Sequence, residues 1–265
     1  MPVFFLSPQC ITPPTLSITG DLLSHLRDSL RVTIGEPLWF GDGQGTKYRA
    51  EITDVSKQTV TGRILETVQE PLRHTPRLIL GQSLLKGEKM AWVIQKATEL
   101  DMAELMPIES RHSVVQLKAD RVDHQLARWQ RIALEAAQQS EQWRVPTITP
   151  PQSLAALLAN RASGNITLML AERREGKSLQ TAELPQDVTG SVLVLIGPEG
   201  GWSQEEVTIA EQANVVPITL GRHILRAETA AIAAISILQY RAAQIRRPAP
   251  FSCRFRRYRA GRQCG

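Results

Sequence analysis

Hydrophobic and polar positions follow two different rhythms along this chain, and the change comes near residue 72. Before it, Leu38–Phe40, Tyr48–Val55 and Thr59–Leu65 are short, partly alternating runs rich in Thr, Val and Ile, which predict β-strands. Gly41-Asp-Gly-Gln-Gly45 is a turn signal between the first two. Asp21–Leu30 predicts a short helix with Leu22, Leu23, Leu26 and Leu30 on one face. Residues 1–72 therefore predict a small barrel-like module. Glu70-Pro-Leu-Arg-His-Thr-Pro76 follows as a linker, because its two prolines break any regular element.

From Arg77 strand-like and helix-like patterns alternate. Strands are predicted over Arg77–Leu85, Glu104–Ile108, Ile166–Ala171, Ser191–Ile196 and Val215–Leu220. Helices are predicted over Glu88–Leu100, Asp120–Trp143, Glu205–Ala213 and Thr229–Ala243. Met90, Val93, Ile94, Ala97 and Leu100 share one face of the first; Val122, Leu126, Trp129, Ala133 and Ala136 share one face of the second. Such alternation predicts an α/β fold, a mostly parallel sheet with helices on both faces, over residues 73–246. The last stretch, 247–265, is Arg-rich with Phe251, Phe255 and Tyr258 interspersed, and reads as a disordered extension or an arm that folds onto RNA.

Composition adds boundaries. A 42% apolar content suits a globular chain of 265 residues, one large domain or two smaller ones. No apolar run approaches membrane-span length, and the N-terminus lacks the marks of a secretory signal, so no membrane is expected. Three widely spaced cysteines form no disulfide framework or metal spacing, which suits a reducing cytoplasm. The net charge of +5 invites a nucleic-acid reading. Counted by segment, residues 1–72 carry 6 basic and 8 acidic side chains, residues 73–245 carry 18 of each, and 246–265 carry 7 arginines and no acid. The surplus lies wholly in the last twenty residues, so any basic groove in the body must come from local clustering.

Chemistry concentrates in two stretches, Leu195-Ile-Gly-Pro-Glu-Gly-Gly-Trp-Ser203 and Leu220-Gly-Arg-His-Ile-Leu-Arg-Ala-Glu-Thr-Ala230. Each joins a strand to a helix, where α/β sheets bind ligands. Gly197, Gly200 and Gly201 allow close backbone approach or positive φ, so the first loop is either a plain glycine turn or a ligand cradle. Ser203 and Glu206 form a capping-box pattern. In the second loop Arg226 could hold a phosphate bidentately. His223 reads as a solvated loop residue, Glu228 suits a helix N-terminus, and Thr229 suits its cap. Gln95, Lys96 and Glu99 read as a polar helix face; Gln138, Gln139, Ser140 and Arg144 read a base edge or face water. No nucleophilic triad and no metal-ligand cluster is present in the sequence.

Together these stretches resemble the RsmE family, the ribosomal RNA small-subunit methyltransferases E of the SPOUT superfamily. Lys86-Gly-Glu-Lys-Met90, Gln95-Lys-Ala-Thr-Glu-Leu100, Ala136-Ala-Gln-Gln-Ser140 and Arg144-Val-Pro146 agree, as do Leu30-Arg31, Gly35 and Phe40-Gly-Asp-Gly43. The resemblance covers roughly residues 15–245. It implies a PUA-like RNA-binding β-barrel and a SPOUT domain with a deep trefoil knot. It implies S-adenosylmethionine held by Leu195, Gly197, Glu199, Gly200, Gly201, Leu220, Gly221, Leu225, Arg226 and Thr229, RNA contacts from Arg31, Lys86, Lys89, Gln139 and Arg144, and a homodimer. The implied reaction is methylation of N3 of one uridine in 16S ribosomal RNA, free or in the 30S subunit. Arg226 is expected to stabilise the developing anion or to position a phosphate, and Glu228 to serve as general base. The competing expectations are another rRNA or tRNA target, or a catalytically silent ribosome-assembly factor. The sequence departs from the family at Gln138 and Gln142, where Glu and Arg are common, and at Arg111-His112, where an Arg is shifted.

Overall fold

The computed structural model describes residues 3–73, 75–161, 164–171, 176–185 and 190–245, so the Arg-rich tail lies outside the described residues. Within them the chain builds two sheets, one from each side of the predicted change in rhythm.

The first sheet is formed by β1 (Val3–Phe5), β2 (Ile11–Thr12), β3 (Thr15–Ile18), β4 (Pro37–Gly41), β5 (Thr46–Val55) and β6 (Val60–Gln69), in the order β1-β4-β5-β6-β3-β2. Only β1 and β4 run parallel. Two register shifts between β5 and β6 bend the long central hairpin. Gly62 sits where a Cβ would lie 3.1 Å from Leu16 Cδ1, so the sheet folds tightly over its own core. That core joins Phe4 from one edge with Leu16 and Ile18 from the other side, around Phe40, Ile52 and Val60. The sheet thus curls around its side chains, but among the described residues no ladder joins β1 to β2. The helix expected over 21–30 is shorter: α1 (Gly20–Ser24) gives way to one wider turn at His25–Ser29. Arg31 then reverses the chain at φ 52°, leaving Leu30 46% exposed rather than on the buried face.

The second unit comprises β7 (Arg77–Ser83), α2 (Lys89–Glu99), β8 (Glu104–Ile108), α3 (Ala119–Gln139), β9 (Thr147–Ile148), α4 (Leu154–Asn160), β10 (Ile166–Leu170), β11 (Lys177–Ser178), β12 (Ser191–Ile196), α5 (Gln204–Gln212), β13 (Val216–Thr219) and α6 (Ala227–Ile245). Its seven strands run all parallel in the order β11-β13-β10-β12-β7-β8-β9. Period-two alternation splits the central strands between two cores. Leu78, Leu80, Val192 and Val194 pack with α2, α3 and α6; Ile79, Leu193 and Leu195 pack with α4 and α5. Every residue of β12 is buried, as a strand covered on both faces must be. Gly81 is dictated by this packing, because a Cβ there would lie 2.5 Å from Leu195 Cδ2.

Two helix ends differ from the periodic pattern. α3 stops at Gln139 rather than Trp143: Ser140 Oγ donates to Ala136 O and Glu141 takes φ 53°. Gln142 Nε2 then donates to Thr98 O, capping the end of α2. The sequence also hides α4, whose cap is Ser153 Oγ, accepting from Ala156 N.

The stretch after β6 joins the two units firmly. Glu70 accepts from both Arg73 and Arg144, and Arg73 reaches Asp101 at 3.0 Å. Lys47 Nζ donates to Glu141 O at 2.9 Å and lies 4.0 Å over the Trp143 ring. Val3 and Phe5 of β1 pack against Ala137 of α3. Charges and apolar contacts together thus replace a free linker.

Candidate functional site

A cavity of about 480 Å³ opens at the C-terminal ends of the parallel strands. Its walls come from the end of β10 (Met169, Leu170), the 197–202 loop, the face of α5 that bears Val207 and Glu211 with the start of β13 (Pro217), and the stretch from Leu225 into α6. This is the crevice position where open α/β sheets bind ligands.

Two glycines of the first loop are explained by a neighbour and the third by its backbone angle. A Cβ on Gly197 would lie 3.1 Å from Trp202 Nε1, and one on Gly200 would lie 2.9 Å from His112 Cβ. Gly201 takes φ 71°. Trp202 Nε1 donates to Leu170 O at 3.2 Å, tying the loop to β10. His112 Nδ1 lies 3.2 Å from Gly201 O. The predicted capping box forms, with Ser203 Oγ accepting from Glu206 N and Glu206 accepting from Ser203 N. Glu206 does more than cap: its other oxygen accepts from Arg111 N at 3.0 Å. One buried carboxylate therefore fastens the segment after β8 to the start of α5.

Glu199 lines the cavity and accepts from Lys89 Nζ at 2.8 Å. Burial alone would raise the Glu199 carboxyl, but the Lys89 ammonium and the backbone N–H groups of Glu199 and Lys86 outweigh it and hold it below the usual value. The same hydrogen bond raises Lys89, with partial opposition from its own desolvation and from Arg226. Lys89 Nζ also lies 3.7 Å from Glu228 Oε2.

The residues singled out in the sequence separate on these coordinates. Gly197, Glu199, Gly200, Gly201 and Leu225 line the cavity. Leu195 does not, being fully buried in the core beneath the sheet. Leu220 is packed against the opposite core, and Gly221 closes a small turn in which its N–H donates to Thr219 Oγ1. Arg226 is exposed at the start of α6, near Lys89. Thr229 lies inside the first turn of α6, two residues past its start, so it is not the cap the sequence suggests. Lys86 is exposed beside Lys89, whereas Arg31, Gln139 and Arg144 lie elsewhere: on the far loop of the first unit, at the end of α3 and at the joint. Met169, Leu170 and Trp202 are cavity residues that sequence reading passed over. Their apolar character marks core as readily as a binding wall. His223 is exposed, as expected of a solvated loop residue.

The arrangement offers apolar walls, exposed loop backbone and two carboxylates, Glu199 and Glu211. That set suits a flat heteroaromatic ring joined to a small cationic or zwitterionic group.

Known proteins carry the same organisation. The sequence pattern of RNA methyltransferase domains matches residues 73–239, and that of RNA methyltransferase PUA domains matches residues 18–65. The chain is 31% identical over 239 residues to the ribosomal RNA small subunit methyltransferase E of Bacillus subtilis, covering 88% of this chain and 93% of that protein. It superposes with a TM-score of 0.80 and 30% identity on the crystal structure of a ribosomal RNA small subunit methyltransferase E from Neisseria gonorrhoeae bound to S-adenosyl methionine, covering 91% of this chain and 97% of that one. A Legionella pneumophila methyltransferase in complex with the same cofactor gives a TM-score of 0.81 at 27% identity, over 90% of this chain and 97% of that one.

Proposed function

This chain belongs to the ribosomal RNA small subunit methyltransferase E family, and on that premise we propose that it transfers a methyl group from S-adenosylmethionine to N3 of one uridine of 16S ribosomal RNA. The observation that carries this reading is the cavity between the 197–202 loop and the start of α6, with Glu199 on its wall. Its residues fit the cofactor chemically: Met169, Leu170 and Leu225 offer an apolar slot for the adenine, and Glu199 offers negative charge to the cationic end. Bound there, the cofactor supplies a methyl group on a sulfonium.

The protein must then make a poor nucleophile competent. Uridine N3 carries a proton, so that proton has to leave as the new N–C bond forms. Glu228 is the assigned acceptor: its side chain is 15% exposed at the N-terminal turn of α6, close to the cavity residue Ala227. The old C–S bond breaks with its electron pair left on sulfur, giving a neutral thioether. Arg226 is assigned to the negative charge that spreads over the uracil oxygens, or to a neighbouring phosphate. Alignment and electrostatics account for the rate, with no covalent enzyme intermediate.

The reading extends to the rest of the molecule. The curled first unit, residues 1–72, is assigned to RNA docking through Arg31, and Lys86 and Gln139 are assigned to RNA from the second, residues 73–246. The second unit is read as a deep trefoil knot, as membership of the family implies. A homodimer is supported by Trp92 on α2 and Tyr240 on the adjoining α6, 42% and 65% exposed. No described helix is long and apolar enough to cross a membrane, and with 16S rRNA as the proposed substrate the chain is assigned to the cytoplasm.

Two measurements test the proposal. Calorimetry with S-adenosylmethionine should give saturable binding to the purified chain. Nucleoside mapping of 16S rRNA from a strain lacking the gene should show one 3-methyluridine missing and restored by complementation. Methylation appearing instead on a ribose or on transfer RNA would redirect the reading; RNA binding without cofactor binding would end it.

A further inference from the structure

Phe40-Gly-Asp-Gly43 and Arg144-Val-Pro146 do not line the cavity; they meet each other. Val145 N donates to Gly43 O at 3.2 Å, and Gln44 faces Arg144 in an antiparallel bridge. Beside them stands Lys47 of β5. It is 9% exposed, its ammonium lies 4.0 Å over the Trp143 ring, and Nζ donates to Glu141 O at 2.9 Å. Burial pushes this ammonium down, against the pull of Glu141 and Glu70. An apolar side chain would fill the same space without that cost. What the charge gains is its acceptor. Glu141 lies two residues past the end of α3, where carbonyls lack helix partners and a cation is favoured. A lysine of the first unit thus caps a long helix of the second.

The chain of contacts continues toward the cavity. Gln142, next to Glu141, donates from Nε2 to Thr98 O at 3.2 Å, in the last turn of α2. Arg73 reaches Asp101, just past that helix, at 3.0 Å. The other end of α2 begins with Lys89, whose Nζ lies 2.8 Å from Glu199 on the cavity wall. One helix of 11 residues therefore runs from the joint to the cavity. We propose that Lys47 is a positioning residue for methyl transfer: by capping α3 from the first unit, it sets where RNA held by that unit meets the cavity. The inference rests on the methyltransferase reading and deepens it. It needs no contact between Lys47 and RNA or cofactor. The base nitrogen must lie in line with the sulfonium methyl, and a displacement of about 1 Å can cost about a hundredfold in rate. A slack joint therefore costs rate before it costs binding.

The test is single-turnover methyl transfer by the full chain to undermethylated 30S subunits, with S-adenosylmethionine and subunits both saturating. The affinity for each is measured separately. Lys47→Met keeps much of the bulk and loses the donor and the charge. Its rate at saturation should fall about ten- to a hundredfold, while both affinities stay within about threefold of wild type. Lys47→Arg keeps a cation that can donate and stack on Trp143, so its rate should return to within about threefold. A full rate in Lys47→Met would overturn the proposal. So would an affinity for either ligand that falls as far as the rate, since Lys47 would then support binding rather than alignment. A rate that Lys47→Arg fails to restore would overturn it too. If Lys47→Met does not fold, judged by circular dichroism, Lys47→Gln takes its place in the same comparison. A wild-type chain that binds no S-adenosylmethionine would instead sink the wider reading, so the two failures are told apart.

Discussion

The two strand-to-helix loops look like equals in the sequence and are built in opposite ways. The loop after β12 is fastened at every step: Trp202 to Leu170, Gly200 under His112, Glu206 to Arg111 and Ser203, and Glu199 to Lys89. The loop after β13 has one small turn at Thr219–Gly221 and then runs exposed through Arg222, His223, Ile224 and Arg226. Ile224, an apolar residue in mid-loop, is 60% exposed. A preorganised loop suits a small ligand that must be held in one pose, because little ordering entropy is lost on binding. An open loop with arginines suits a large polyanion that supplies its own shape. With the proposed function, the first loop is assigned as the cofactor cradle, with Leu225 of the second loop on its wall, and the exposed arginines of the second loop are assigned to RNA.

Substitutions can break or sharpen that contrast. The largest effect is expected from Gly200→Val, since even a Cβ would lie 2.9 Å from His112 Cβ and its backbone oxygen is 3.3 Å away. The loop must shift, and affinity for S-adenosylmethionine should fall about a hundredfold or more by calorimetry, equivalent to roughly 2.7 kcal/mol. Unchanged affinity would mean that this loop is not the cradle. Glu206→Ala comes next, because it strands two backbone donors, Arg111 N and Ser203 N. About 1–3 kcal/mol of stability should be lost in denaturant unfolding, more than any exposed substitution in the second loop.

Arg226→Ala should then separate the loops functionally. Methyl transfer is expected to drop about tenfold while the thermal midpoint and cofactor affinity stay close to wild type. An equal loss of cofactor binding would place Arg226 in the cradle instead. Arg144→Ala should cost about 0–1 kcal/mol despite its pairing with Glu70, since its side chain is 52% exposed and such pairs are screened. The smallest change is expected for Thr229→Ala, within about 0.5 kcal/mol, because the residue is an exposed position inside a helix rather than a cap.

Most strands were readable because burial imposes a local code. β12 is buried on both faces and is a continuous apolar run with no ambiguity. The capping box at Ser203 was equally plain, since its partners lie three residues apart. The end of α3 was not readable: the apolar spacing permits helix to Trp143, and a distant event, Gln142 turning back onto the end of α2, goes with its stop at Gln139. Leu195 shows the same limit within the site. The family resemblance implies a cofactor contact there, but strand alternation turns it into the core against Gly81. Met169 and Trp202 were missed for the converse reason, since an apolar side chain in sequence carries no mark of whether it faces protein or cavity.

By itself the sequence determined the two units, the parallel α/β alternation, the pairing of two glycine- and arginine-bearing loops and the family they resemble, because each is written in neighbouring residues or short periods. Only the tertiary structure decided that Lys89 meets Glu199 and Glu228, that Glu206 also holds Arg111, and that Glu70 ties Arg73 and Arg144 into a joint. All but the Glu70–Arg73 pair link residues 74 to 139 positions apart, and no local rule relates those. They arise when burying two hydrophobic cores brings charged strand ends and helix starts together, and a carboxylate enclosed there must find a partner.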